Sequence, residues 1–206
     1  MIGHYRVSAN LTLPSLEAGN ARIFEARNTS ASVMVIPQRL NITLVQVAAG
    51  TSQAAGIDLF KCTGFSAVDN TNNTALTASK KRTEFPNPAL TVQIATNNTA
   101  GMTGGTLVKD ANPFWGYSYV VGTAIGTNNT GTFGPLTAID GFDTPVPFPN
   151  LSGGIPLYPW MMRLNEGFEI ENRTVNSTSF GINVTFDFSW AEYEFGSSVG
   201  NQPGWL

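Results

Sequence analysis

Between Phe180 and Trp190 the chain alternates without a break. Phe180, Ile182, Val184, Phe186, Phe188 and Trp190 fall on one parity, and Gly181, Asn183, Thr185, Asp187 and Ser189 on the other. Side chains of an extended backbone point to opposite faces in turn. A period of two therefore demands a strand with one face in a core and the other toward water or a polar contact. No segment offers a convincing amphipathic helix, while strand-like runs recur with Gly, Asn and Thr turns between them. The expectation is an all-β chain, an antiparallel β-sandwich of jelly-roll type with long loops and extended terminal arms.

The remaining strands read less cleanly. Residues 1–20, with Pro14 and Gly19, suggest an N-terminal arm or a weak edge strand, and the sandwich is expected to span 21–195. Ala21 to Asn28 is a first core segment. Val33 to Val47 is β-prone but contains Pro37, which cannot donate to a ladder and marks a strand start, an edge or a bulge. After Pro37, Leu40, Ile42 and Leu44 alternate, and then Val45 and Val47 break phase, as a bulge would. Ile57 to Thr63, then Leu90, Val92 and Ile94, then Trp115, Tyr117, Tyr119 and Val121 read as further strands. Leu157 to Asn172 reads as two short strands bent at Asn165-Glu166-Gly167. Residues 126–154 are rich in Gly, Pro and Thr without a clear period and read as a long loop carrying Phe133, Phe142 and Phe148. A loop of that length is usually functional or interface-forming, so these aromatics are candidate partner contacts, or they fold the loop onto the body. Residues 196–206 read as a C-terminal tail closing in Trp205-Leu206, two more candidate contacts that would anchor in a neighbouring subunit.

Composition narrows the function. Charged residues make up 12% of the 206-residue chain, against roughly 25% in an average globular protein, so Asn, Thr, Ser and Gly must cover the surface. That suits a member of a permanent assembly better than a chain kept soluble by charge repulsion. The net charge of −3 argues against nucleic acid as a partner. The basic cluster Lys80-Lys81-Arg82 reads as a solvated loop or as a salt-bridging element at a subunit contact. No apolar run is long enough to span a membrane, and Met1 to Arg6 carries no apolar h-region, so a secretory signal peptide is not expected. Cys62 is single and sits in an apolar run, so it reads as a small buried hydrophobe. Triplets such as Asn41-Ile42-Thr43 match the glycosylation pattern but follow from high Asn and Thr content. The three Asn-Asn-Thr copies read as turn chemistry and not as a repeat.

Chemistry is sparse. His4 is the single histidine, so a Ser-His-Asp triad would have to form on the N-terminal segment. One His and one Cys in distant segments do not make a zinc site. Asp140-Gly141-Phe142-Asp143 lacks the ligand spacing of a calcium loop, and Gly101 to Gly105 lacks the Lys and helix of a phosphate loop. Glu166, Glu169 and Glu171, and Glu192 with Glu194, are the close carboxylates that glycoside hydrolysis would need. On a strand Glu169 and Glu171 share a face, expected to be a solvent face. No catalytic residue, metal ligand or cofactor is assigned, and a non-enzymatic role is expected.

Several segments together resemble the small jelly-roll structural proteins of tailed-bacteriophage virions. They are Ile57-Asp58-Leu59-Phe60-Lys61-Cys62-Thr63-Gly64-Phe65-Ser66, then Lys81-Arg82-Thr83 leading to Pro88-Ala89-Leu90, then Arg163 through Asn172, and the last strand running into Trp190-Ala191-Glu192. In order and spacing they cover roughly residues 20–193. The resemblance implies a capsid cement or decoration protein, commonly a trimer, made in the host cytoplasm and placed on the capsid surface. Its implied partners are the major capsid protein or other virion subunits. A tail or fibre component is the next reading. From another class, a carbohydrate-binding adhesin would need Trp115 and Tyr117 to line an exposed groove.

Overall fold

A computed structural model describes residues 3–96, 99–123, 132–139 and 160–194. Its elements, in chain order, are β1 (Gly3–Leu13), β2 (Ala21–Asn28), β3 (Val33–Gln46), β4 (Gln53–Ala67), β5 (Asn73–Leu76), β6 (Ser79–Lys80), β7 (Leu90–Ala95), β8 (Thr106–Lys109), β9 (Trp115–Val121), β10 (Thr132–Ile139), β11 (Gly167–Asn172) and β12 (Ile182–Glu194). Among the described residues there is no helix. Every named pairing is antiparallel. One sheet has five strands in the order β10-β3-β12-β1-β6. The other has seven, in the order β5-β7-β2-β11-β4-β8, with β9 pairing the first half of β4.

The alternation that ends the chain sits at the centre of the smaller sheet. Phe180, Ile182, Val184, Phe186, Phe188 and Trp190 are all buried, and Asn183, Thr185, Asp187 and Ser189 are partly open on the other side. β12 is flanked along its length by β1 and β3. Facing it across the interior are Phe24 of β2 and Phe168 of β11. Phe24 stacks on Phe186 at 4.8 Å between ring centroids, and Phe168 meets Phe188 edge-on at 5.1 Å. Two sheets, each with one apolar face, thus share one core. That core is aromatic-rich, and offset or edge-on ring pairs of this kind add to the burial itself.

The sequence boundaries shift in two places. The sandwich begins at Gly3 and not at 21. Tyr5, Val7, Leu11 and Leu13 alternate into the core, and β1 pairs with β12 from Gly3 opposite Glu192 to Leu13 opposite Ile182. Leu11-Thr12-Leu13 is the end of a pattern that already runs from Tyr5. The stretch 126–154 also contains a strand, β10, which extends the smaller sheet beyond β3. Its pairing shifts register between Phe133 and Leu136 and again before Ile139, so its sequence carries no steady period.

The bulge in β3 lies at Pro37 and not at Val45. Gln38 and Arg39 both face away from the core, and the pairing with β12 jumps from Arg39–Ser189 to Pro37–Trp190. The residue left without a partner is Gln38, between Pro37 opposite Trp190 and Arg39 opposite Ser189, so the proline marks the edge of the bulge. Beyond that step the alternation is regular through Gln46, which leaves Val45 half-open.

Candidate functional site

Glu25, Asp69, Glu169 and Glu171 are all buried, and they lie on the outer face of the seven-stranded sheet. On β11, Phe168 and Ile170 point into the core, so Glu169 and Glu171 share the opposite face, as the sequence indicated. That face is not open to solvent, which overturns the expectation. Glu169 is 1% and Glu171 4% exposed, because the β4–β5 and β7–β8 connections fold over them. A bulge in β2 completes the group. Ile170 pairs with Phe24 and Glu171 with Arg22, which skips Ile23. That extra residue brings Arg22 onto the same face as Glu25, where simple alternation would have placed them on opposite faces.

The charges are clasped rather than exposed. Arg22 reaches Asp69 at 3.0 Å and Glu169 at 3.9 Å. Lys109 of β8 meets both oxygens of Glu171 at 2.6 and 2.7 Å and lies 3.8 Å from Glu169. The backbone N–H of Asp69 donates to Glu25 at 3.0 Å, and Asp69 accepts from the N–H of Gly105 at 2.6 Å. Thr71 and Thr103 bridge the two covering connections, and Met102 is fastened to Arg22 through the backbone. The tight approach needs glycine. A Cβ on Gly101, whose φ is +67°, would sit 2.8 Å from the Arg22 carbonyl oxygen.

Acids outnumber bases in this group, and burial favours their neutral forms. Burial, with Asp69 nearby, pushes Glu25 up to about 7. Burial and the neighbouring Glu171 raise Glu169, opposed by Lys109 and Arg22. Asp69 is raised by burial as well. One oxygen each of Glu25, Asp69 and Glu169 has no hydrogen-bond partner among the described residues. Among the described residues no His, Cys, Asp or Glu cluster is arranged to hold a metal ion. The arrangement can store protons and lash two connections to a sheet. Cys62 lies on the same side of β4, buried, and burial with the surrounding acids pushes its thiol far up, so it is a poor nucleophile.

The other close carboxylates are also structural. Glu192 accepts from the backbone N–H groups of Ala89 and Leu90 and from the Trp190 indole at 3.0 Å. Glu166 accepts from the N–H of Arg163, closing the turn before β11 in which Asn165 has φ of 59°. The Nδ1 of His4 contacts Gln38 Oε1 at 3.1 Å. Trp115, Tyr117 and Tyr119 form a stacked ladder on β9. Tyr119 is in the core, and Trp115 and Tyr117 are half-buried against it.

Of the candidate contacts, Phe133 lies in β10 opposite Leu44. Phe142, Phe148, Trp205 and Leu206 lie outside the described residues, as does the Asp140–Asp143 segment. Comparison with protein-family models, with curated proteins and with solved structures returned no match.

Proposed function

We propose that this chain is a virion structural protein, a capsid-associated cement or decoration protein that bridges subunits of an assembled shell, and that its sandwich is a jelly roll. The observation that carries the reading is the strand order. The run β1-β12-β3-β10 faces the run β2-β11-β4-β9, so successive strands from both ends of the chain enter alternate sheets. Such interleaving supports the jelly-roll reading, an arrangement of two Greek keys that recurs among viral capsid domains and lectins.

The outer face of the smaller sheet favours contact duty. Across it Thr12 bonds Asn183 at 2.8 Å, Thr185 bonds Asn10 at 2.6 Å and Arg6 forks onto Asp187. Short polar side chains already paired with one another lose little entropy when a partner covers them. Many copies on a lattice would add by avidity, and binding the assembled shell but not its free subunits would stabilise the shell by linkage. Phe133, Phe142, Phe148, Trp205 and Leu206 are the proposed contact residues. The ring ladder of β9 packs toward the core, which weighs against an adhesin reading that needs Trp115 and Tyr117 in an open groove.

Imaging of intact particles tests the proposal. Density for this chain across capsomer joints is the expected result. Density confined to a tail tip would replace the reading with a tail or fibre role, and a chain free in solution with glycan affinity would replace it with an adhesin.

A further inference from the structure

A cavity of about 390 Å³ opens where β6 pairs the start of β1, and it gathers cations. His4, Arg6, Lys80 and Lys81 line it, with Ser79 and Ser189, and no acidic residue among the described residues does. The chain has only 11 Lys and Arg, 1 His and 14 acids. Two acids of β12 are already engaged. Asp187 is forked by Arg6, and Glu192 points its oxygens at Ala89, Leu90 and Trp190.

The donors left over define the ligand. The Arg6 fork is already filled by Asp187, so planar bidentate recognition of a carboxylate is spent. What remains are the ammonium groups of Lys80 and Lys81, each a compact charge with rotatable donors, and the serine hydroxyls. Backbone pairing fixes the lysines' position. Lys80 is opposite Tyr5 in the sheet, and the N–H of Lys81 donates to the His4 carbonyl at 2.9 Å. Gln38 contacts Nδ1 of His4, which leaves Nε2 outside that contact. Such a set suits a tetrahedral oxyanion, which offers acceptors in several directions. The volume exceeds what a bare anion fills and falls in the lower part of the ~300–1,000 Å³ range of small-molecule sites.

We propose that this cavity binds a phosphate or sulfate group carried on a small polar molecule. The inference does not depend on the virion reading. Calorimetric and NMR titration of the full chain at fixed ionic strength tests it, with inorganic phosphate, inorganic sulfate and glucose 6-phosphate as probes and acetate and glucose as comparators. The expected result is saturable binding of the tetrahedral anions, tightest for glucose 6-phosphate if the ester is a phosphate, with amide shifts at His4, Lys80 and Lys81. The K80A/K81A double variant, at exposed positions that leave the core intact, is expected to weaken binding about tenfold or more, and R163A, an exposed cation outside the cavity, less than about twofold. An unchanged melting temperature shows that the double variant is folded. Binding that never saturates, that is equal for acetate, or that survives K80A/K81A would overturn the proposal.

Discussion

Phe186 and Thr185 are chain neighbours with opposite duties. Phe186 is fully buried and stacks on Phe24, while Thr185 bonds Asn10 on the outer face. Phe186→Ala is expected to cost about 3–5 kcal/mol in chemical denaturation, through lost burial and a residual cavity. Thr185→Ala should change stability by no more than about 0.5 kcal/mol. Equal effects at the two positions would contradict the assigned face. Glu192 is a second residue with a definite burden. Its removal leaves the indole N–H of Trp190 and the N–H of Leu90 without acceptors, each worth about 1–3 kcal/mol. Glu192→Ala is therefore expected to lower the denaturation midpoint sharply, and Glu192→Gln, which keeps an acceptor, much less. The sequence made Phe180 to Trp190 legible because one face there is wholly apolar. It hid Glu192, because a glutamate at the end of a strand has no pattern to distinguish a buried acceptor from a surface charge.

At the level of elements, the bulges decide what the alternation means. Pro37 announced an irregularity in β3, and its place became clear only once β12 was set beside it. The bulge in β2 had no proline or glycine to mark it, so Arg22 and Glu25 gave no sign that they would face the same way. Glu169 and Glu171 were readable as sharing a face, but what covers that face comes from connections distant in the chain. The buried cluster has a pH consequence with a definite sign. Glu25 is raised from its ordinary 4.5 to about 7, and Glu17, buried beside Asn176, to about 8. A raised carboxyl pKa means the folded state holds the proton more tightly than the unfolded one. The stability is complete below about pH 4.5 and declines as pH rises through 7 to 8. Denaturation midpoints should therefore fall between pH 5 and pH 8.5, and Glu17→Gln should remove part of that slope. A midpoint that rises over this range would refute the assignment. The same burial predicts that Cys62 reacts with a thiol reagent at neutral pH only when the chain is unfolded, which a colorimetric thiol titration with and without denaturant would show.

Over the whole molecule, contacts are overwhelmingly between distant parts of the chain. β1 pairs with β12, and β11 lies between β2 and β4. Such non-local pairing requires loop closure before it is rewarded, so refolding followed by tryptophan fluorescence is expected on the order of milliseconds to seconds or slower. Microsecond refolding would mean that local structure, absent from the strand pairing, carries the fold. The all-β class was legible from strand runs and turns. The extent of the sandwich was legible only in part: Tyr5, Val7, Ala9, Leu11 and Leu13 alternate with polar residues along β1, whereas β10 shifts register twice against β3 and displays no steady period of its own.

The pairing of β1 with β12 also sets how the molecule bears load. Gly3 stands opposite Glu192, so the start of β1 and the end of β12 lie side by side at one end of an antiparallel ladder. Tension applied between those ends would open the ladder like a zipper, one pair at a time, which is the weakest direction for such a joint. Tension applied along the strands, between loops at opposite ends of the sandwich, would have to shear many hydrogen bonds at once. The fold therefore yields most easily between the start of β1 and the end of β12 and resists most along its strands.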